Sequence, residues 1–314
     1  MKKRWTTSNI PSQVGRRVVI TGSNSGIGFE AALALARMGA ELILPARTQA
    51  KAEDAAGRIF QQVPNAQLHP EVLDLAAQAS VRAFASRVIE RFPGQSLDLL
   101  INNAGVMALP TREITEDGLE RQFATNYLGP FALTALLLPS IKQRVGSRVV
   151  TVSSSASNQG KIEFDNLQSE RVYKPMFQAY AQSKLADLIF SQELQRRLNA
   201  MGSPILSTAA HPGYAVTNLQ ADHLGLGMKL VITAMKPFLS QDAAHGALPT
   251  LYAAVAEEAV AGGYYGPDGV AELKGYPTAA QVPKAALDEA VAKRLWSESE
   301  RLTGVTFGAL WSAA

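Results

Sequence analysis

The sequence predicts a doubly wound α/β fold: one parallel sheet of about seven strands, with helices on both faces. Three observations point to it. Short β-branched and aliphatic runs alternate with longer helical patterns from residue 17 to residue 302, without an internal repeat, linker or low-complexity segment. The first apolar run passes through a glycine-rich turn straight into a helical pattern. Small and polar residues collect where the runs end, the edge at which an open parallel sheet keeps its ligand crevice. Residues 1–314 are therefore expected to form a single domain, with residues 1–15 as an N-terminal arm.

The first strand covers residues 17–21, a buried-type run of Val and Ile. Gly22, Ser23, Asn24, Ser25, Gly26, Ile27 and Gly28 follow, and an Ala- and Leu-rich helix runs from residue 29 to 38, stopped by Gly39. Strand, glycine turn and helix form the unit that binds a dinucleotide. The glycines let the backbone approach a pyrophosphate, and the helix N-terminus offers free N–H groups. A plain tight turn is the bland alternative. The second strand, residues 41–45, ends at Arg47. An NAD site wants an acid there for the ribose 2′-OH, and none is present before Glu53. Arg47 can instead meet a 2′-phosphate, which favours NADP(H) over NAD(H), unless it is merely a solvated arginine.

A helix at 49–62 leads to a strand at 67–73, closed by Asp74 and Leu75. Asp74 either faces the crevice or caps the helix expected at 79–92. The next strand, 97–101, runs into Asn102, Asn103, Ala104 and Gly105, small and amide residues that allow close approach of backbone and cofactor. Residues 115–144 read as one helix with Asn126 near its middle, a poor helix-interior residue. Pro130, four residues on, cannot donate to the Asn126 carbonyl, which is left to bind something else. The fifth strand, 147–152, ends in Ser153, Ser154 and Ser155.

Residues 158–176 lack periodicity and carry Phe164, Tyr173 and Met176, so with Phe177 they read as a pocket wall or as ordinary surface packing. Tyr180 and Lys184 then share one face of a long helix. A free phenol titrates near ~10, and a neighbouring ammonium lowers that value toward working pH. Taken alone, the pair could equally be a surface i,i+4 contact. Residues 204–210 form the sixth strand, followed by His211, Pro212, Gly213 and Thr217, with His211 read as structural. Residues 218–240 are apolar and Gly- and Met-containing, a substrate lid or a core or dimer helix. Helical patterns at 241–258 and 283–302 flank a short strand at 262–267.

Composition sets the outer bounds. With 47% hydrophobic and 18% charged residues, the 314-residue chain can bury a sizeable core. A net charge of +3 is too weak to suggest nucleic acid. The absence of cysteine excludes disulfides and thiolate chemistry and suits a reducing cytoplasm, where the protein is expected. The four histidines show no metal-ligand spacing, and no metal is expected. The basic start lacks an apolar segment behind it, and the longest apolar run, 128–138, is about half the ~20 residues of a spanning helix. A transmembrane segment is not expected.

In their order and placement these motifs resemble those of the short-chain dehydrogenases/reductases over nearly the whole chain. The matching residues are Thr21 to Gly28, Asp74, Asn102 to Gly105, Asn126, Ser153-Ser154, Tyr180-x-x-x-Lys184 and Pro212-Gly213 through Thr217. Ser183-Lys184-Leu185-Ala186, Gln192-Glu193-Leu194 with Arg196-Arg197-Leu198, and His211-Pro212-Gly213 are similar to the retinol dehydrogenase-like branch. The resemblance extends to light-dependent pigment reductases. It implies a Rossmann-type NAD(P) fold, often a homodimer, with a catalytic tetrad of Asn126, Ser154, Tyr180 and Lys184. Tyr180 is then the general acid or base, and Lys184 lowers its pKa and bonds the nicotinamide ribose. Ser154, with Ser155 as competitor, holds the substrate oxygen. Asn126, through its main chain, holds a water linking Lys184 to solvent. The implied reaction interconverts a small-molecule carbonyl and an alcohol, on a bulky apolar substrate if 164–177 and 218–240 wall the pocket. C=C reduction, epimerisation or dehydration on the same scaffold, and a non-enzymatic NADPH-binding regulator, are the alternatives.

Overall fold

The structure is a computed structural model that describes residues 4–214 and 241–308. Its strands are β1 (Arg17–Ile20), β2 (Glu41–Ala46), β3 (Gln67–Val72), β4 (Leu99–Asn102), β5 (Arg148–Val152), β6 (Leu206–Ala210), β7 (Tyr264–Pro267) and β8 (Pro277–Ala279). They form one sheet in the order β3-β2-β1-β4-β5-β6-β7-β8. All pairings are parallel except β7 with β8. The order reverses between β1 and β4, which opens a crevice at the carboxyl ends of these strands.

Each central strand is apolar on both faces because helices cover both. On β1, Val18 and Ile20 join one core cluster and Val19 the other. Leu99 and Ile101 of β4 likewise oppose Leu100. The first cluster packs under α1 (Gly26–Arg37), α2 (Gln49–Gln62) and α6 (Ala243–Val255). The second packs under α3 (Gln78–Arg91), α4 (residues 121–137), α5 (Ala181–Ala200) and α7 (Glu289–Thr303). An aromatic cluster joins α4, α5 and α7. The Trp296 and Phe307 rings lie 4.4 Å apart, and Phe131 lies 5.1 Å from Trp296 and 5.5 Å from Phe190. The N-terminal arm is docked: Ile10 is buried, and the Gln13 backbone N–H donates to the Met38 carbonyl at 2.8 Å.

Three expectations need correction. The helix expected at 115–144 covers only 121–137. Gly118 turns the chain at φ +77°, and Glu120 then caps the helix by accepting from the backbone N–H groups of Gln122 and Phe123 at 2.9 and 2.7 Å. Its far end tightens into a 3₁₀ turn, Leu138–Ser140, around Pro139. Within α4, Ala124–Leu128 is a π-helical turn, and a second, Pro175–Tyr180, leads into α5. The sheet also has an antiparallel edge strand, β8, which the sequence hides because it is three residues long and begins with proline. The charged terminal pattern at 283–302 splits into a 3₁₀ turn, Lys284–Leu287, and α7, because Asp288 caps α7 at the backbone N–H groups of Ala290 and Val291.

Candidate active site

The glycine turn lies between β1 and α1, at the reversal of strand order. Gly22 and Gly26 have φ of +69° and +57°, a region that only glycine enters freely. Gly28 is needed for space: a Cβ there would collide with the Gly22 carbonyl and the Asn103 side chain. No side chain caps the α1 N-terminus at Ser25, so its first N–H groups remain available to an anion. Two sets of contacts brace the turn. The Thr21 hydroxyl accepts from the backbone N–H groups of Asn103 and Ala104, both at 3.0 Å, and the Asn103 amide donates to the Thr21 carbonyl at 2.9 Å. Arg58 of α2 donates to the Asn24 carbonyl while its guanidinium lies 4.4 Å from the centre of the Phe29 ring.

Arg47 stands exposed at the end of β2, with no hydrogen bond or ion pair to another described residue. Asp74, at the end of β3, accepts from the Ala76 N–H at 2.9 Å and so forms a local turn. Helix α3 is capped instead by Asp117, which accepts from the Gln78 N–H at 2.7 Å. Leu75 is buried, and its carbonyl packs so closely on Gly129 that a Cβ there would collide with it.

Asn126 is buried in the π turn of α4. Its side-chain oxygen accepts from the Val106 N–H at 2.7 Å, and its amide donates to the Val106 carbonyl and to Ser183 Oγ, both at 2.9 Å. Ser183 Oγ in turn donates to the Tyr180 carbonyl at 2.8 Å. One side chain thus ties the end of β4 to the start of α5. Where a Cβ of Gly105 would stand, Asn126 Oδ1 is 3.2 Å away and Lys184 Nζ 3.6 Å. Three separate stretches of sequence therefore meet at one point.

Tyr180 ends the second π turn, is 8% exposed, and its hydroxyl has no hydrogen-bond partner among the described residues. Lys184 is buried one turn later. Its ammonium donates to the Val152 carbonyl at 2.9 Å and to Asp187 Oδ2 at 2.8 Å. Burial works against the Lys184 charge, but the charges of Asp187 and Tyr180 and the hydrogen bond to Asp187 outweigh it and raise the pKa. At the end of β5 the three serines divide. Ser153 Oγ donates to the Lys184 carbonyl at 2.7 Å and is buried. Ser154 is half-buried, and its hydroxyl accepts from the Ala156 N–H at 3.2 Å, while Ser155 begins a 3₁₀ turn.

A family model described as short chain dehydrogenase matches residues 16–224. This chain is a short-chain dehydrogenase. Human retinol dehydrogenase 13 is 42% identical over 297 residues, covering 93% of this chain and 85% of that one, which puts this short-chain dehydrogenase in the retinol dehydrogenase-like branch. A crystal structure of an uncharacterized protein from Mycobacterium paratuberculosis is 39% identical, with a TM-score of 0.79 over 97% of this chain and 99% of that one. A Burkholderia cenocepacia short chain dehydrogenase solved in complex with NADP shares the fold, with a TM-score of 0.62 and 24% identity over 80% of this chain and 96% of that one.

In this short-chain dehydrogenase the Pro212-Gly213 turn follows β6. Gly213 has φ +64°, and a Cβ there would collide with the Leu273 carbonyl. His211 is fully buried. Its Nδ1 accepts from the Gly213 N–H at 3.3 Å, which leaves Nε2–H to donate to Glu272 at 2.8 Å. Burial depresses the imidazole pKa against the opposing effect of Glu272. Thr217 and the expected lid at 218–240 lie outside the described residues. The sequence places Thr21 and Ser183 only within motifs, without a role, and Arg58 and Asp187 in none. Only Asp187 carried a signal, as a lone acid in the apolar run from Leu185 to Phe190, three residues after Lys184.

Proposed function

We propose that this short-chain dehydrogenase interconverts a ketone or aldehyde and an alcohol, using NADP(H), on a bulky apolar substrate. The observation that carries the reading is the meeting of Asn126, Lys184 and the Gly105 backbone within one side chain's reach, next to Tyr180 at the strand tips. The residues present fit a dinucleotide: a glycine cradle without Cβ atoms, an α1 N-terminus that Ser25 leaves uncapped for the pyrophosphate, and an exposed Arg47, unpaired among the described residues, for a 2′-phosphate. Asp74, Leu75, Asn103, Ala104, Gly105, Pro212 and Gly213 follow the carboxyl ends of β3, β4 and β6, where they would border the same crevice. The bound nicotinamide supplies or accepts the hydride, which no side chain can do.

The chain's own residues handle the proton. In reduction, the Tyr180 hydroxyl gives its proton to the developing alkoxide, and Ser154 donates a second hydrogen bond to that oxygen. Lys184 then stabilises the negative charge left on Tyr180 and holds a ribose hydroxyl. Asn126 fixes the loop after β4 and the start of α5 relative to each other. Oxidation reverses the proton's path. An apolar substrate is supported by Met176 and Phe177 on the turn leading to Tyr180, Phe177 being 72% exposed, and by the name of the human relative. Phe164 does not contribute, because the Arg294 guanidinium lies over it at 3.9 Å.

The test is consumption of NADPH, with NADH as control, across a panel of lipophilic aldehydes, ketones and retinoids beside small charged hydroxy acids. Tyr180→Phe should lower turnover by about 10²–10⁴-fold with NADPH affinity retained. Full activity in that variant, or a preference for the charged acids, would contradict the proposal.

A further inference from the structure

Lys184 does not face Tyr180 alone. Its ammonium has three protons, and protein acceptors take two of them, the Val152 carbonyl and Asp187 Oδ2. No third acceptor takes the remaining proton among the described residues, and Nζ faces the loop after β4, 3.6 Å from the position a Gly105 Cβ would occupy. Asp187 lies three residues on, on the same face of α5, and is 1% exposed. Among the described residues its second oxygen, Oδ1, is buried without a hydrogen-bond partner, and the carboxylate's one strong contact is the lysine. A buried carboxylate left half unsatisfied costs stability and is retained at a penalty.

We infer that Asp187 is a positioning residue, the counter-ion that keeps Lys184 charged and fixed against Val152, with its third N–H aimed at the crevice. The inference rests on the proposed roles of Tyr180 and Lys184. Without an anion, a buried lysine tends to shed its proton, and burial in this site opposes the Lys184 charge. With Asp187 ionised, the ammonium needs no help from a bound cofactor to stay charged. Among the described residues, the titratable groups facing the pair besides Lys184 are Tyr127, from the π turn of α4, and Tyr180. Tyr127 is neutral and committed: burial pushes its phenol well above the ordinary range, and its hydroxyl bonds Ser299 Oγ at 2.7 Å. Burial also pushes the Asp187 carboxyl up to about 7, against the pull of Lys184.

Asp187→Asn keeps the shape of the side chain and one acceptor but removes the charge. Its pH profile for carbonyl reduction should lose its alkaline limb early, by about one pH unit, a tenfold loss of turnover at a fixed pH on that limb. Both routes act in this direction: the lysine releases its proton sooner, or an uncompensated ammonium draws off the phenolic proton sooner. NADPH binding, followed by its fluorescence, should persist and report an intact fold. A profile superimposable on the wild type would overturn the assignment. Lysine 15Nζ NMR of the wild-type protein, with the signal absent from Lys184→Arg as the marker, reads the same pair without catalysis or an Asp187 variant. An ammonium persisting to about pH 9 supports the counter-ion role, and deprotonation near pH 7 or below overturns it. A wild-type protein with no carbonyl turnover would sink the proposed reaction, while the NMR titration would still decide on the pair.

Discussion

Gly28 shows how much one missing methyl group decides. A Cβ there would collide with the Gly22 carbonyl and the Asn103 side-chain amide, so Gly28→Ala must push the turn off the strand end. We expect a loss of about 1–3 kcal/mol in stability and weakened NADPH binding, measured by thermal denaturation and fluorescence titration. Unchanged values in both would mean that the turn yields freely. Arg47 offers a second test. Arg47→Asp replaces an unpaired cation with the acid an NAD site uses, and should raise the KM for NADPH by about 10–100-fold, the equivalent of one charged hydrogen bond. An unchanged KM would leave Arg47 a solvated arginine. These residues were legible because each violates a local rule: glycines clustered at one turn, a cation where an acid belongs, an asparagine inside a helix. Thr21 and Ser183 violate none, and Asp187 only as a lone acid inside an apolar run. Their roles arise from contacts made across the fold or buried in a helix face, such as Thr21 to the backbone at 103–104.

Secondary structure was readable where periodicity is long and strong, as at α2, whose expected and observed bounds coincide at residues 49–62. It was misread at α4, expected over 115–144, because Gly118, the Glu120 cap and the 3₁₀ turn around Pro139 confine the helix to 121–137. The two π turns were invisible, because an extra residue in a turn leaves no compositional trace. Each nevertheless holds a residue of the proposed tetrad, Asn126 in one and Tyr180 in the other, in keeping with the frequent placement of π turns at functional sites. Glu120 sets the start of α4 and hence the position of Asn126. Removing its buried carboxylate in Glu120→Ala leaves the Gln122 and Phe123 N–H groups unsatisfied and should cost about 1–2 kcal/mol. Thermal denaturation checks this. An unchanged Tm would mean that another acceptor takes over the cap.

At the scale of the molecule, the end of the sheet opposite the crevice carries the electrostatic fastening. Asp98 is fully buried there, accepting from the Arg17 N–H and from Lys142, both at 2.9 Å, and pairing with Arg144. Burial raises its carboxyl pKa, but the bonds from Lys142, the Arg17 backbone and Arg144 prevail and hold it below the ordinary value. A depressed carboxylate stabilises the fold above its unfolded pKa of about 3.9, and that contribution disappears as pH falls through the lower folded value. Asp98→Asn should therefore cost about 1–3 kcal/mol at pH 7, with the gap from wild type closing in acid. An equal deficit at both pH values would show a packing role instead. The chain thus separates two tasks by strand end, with charge pairs fastening one end and small or polar residues opening the other to a nucleotide.

The most direct test of the proposed reaction is isotopic. NADPH carrying deuterium at its hydride-donating position is supplied with a lipophilic aldehyde, and the alcohol is analysed by mass spectrometry and NMR. The account predicts one deuterium on the carbinol carbon and a solvent proton on the oxygen, with Tyr180→Phe forming little product. Deuterium at a carbon of a reduced C=C bond, or NADPH bound but never oxidised by any carbonyl, would contradict it.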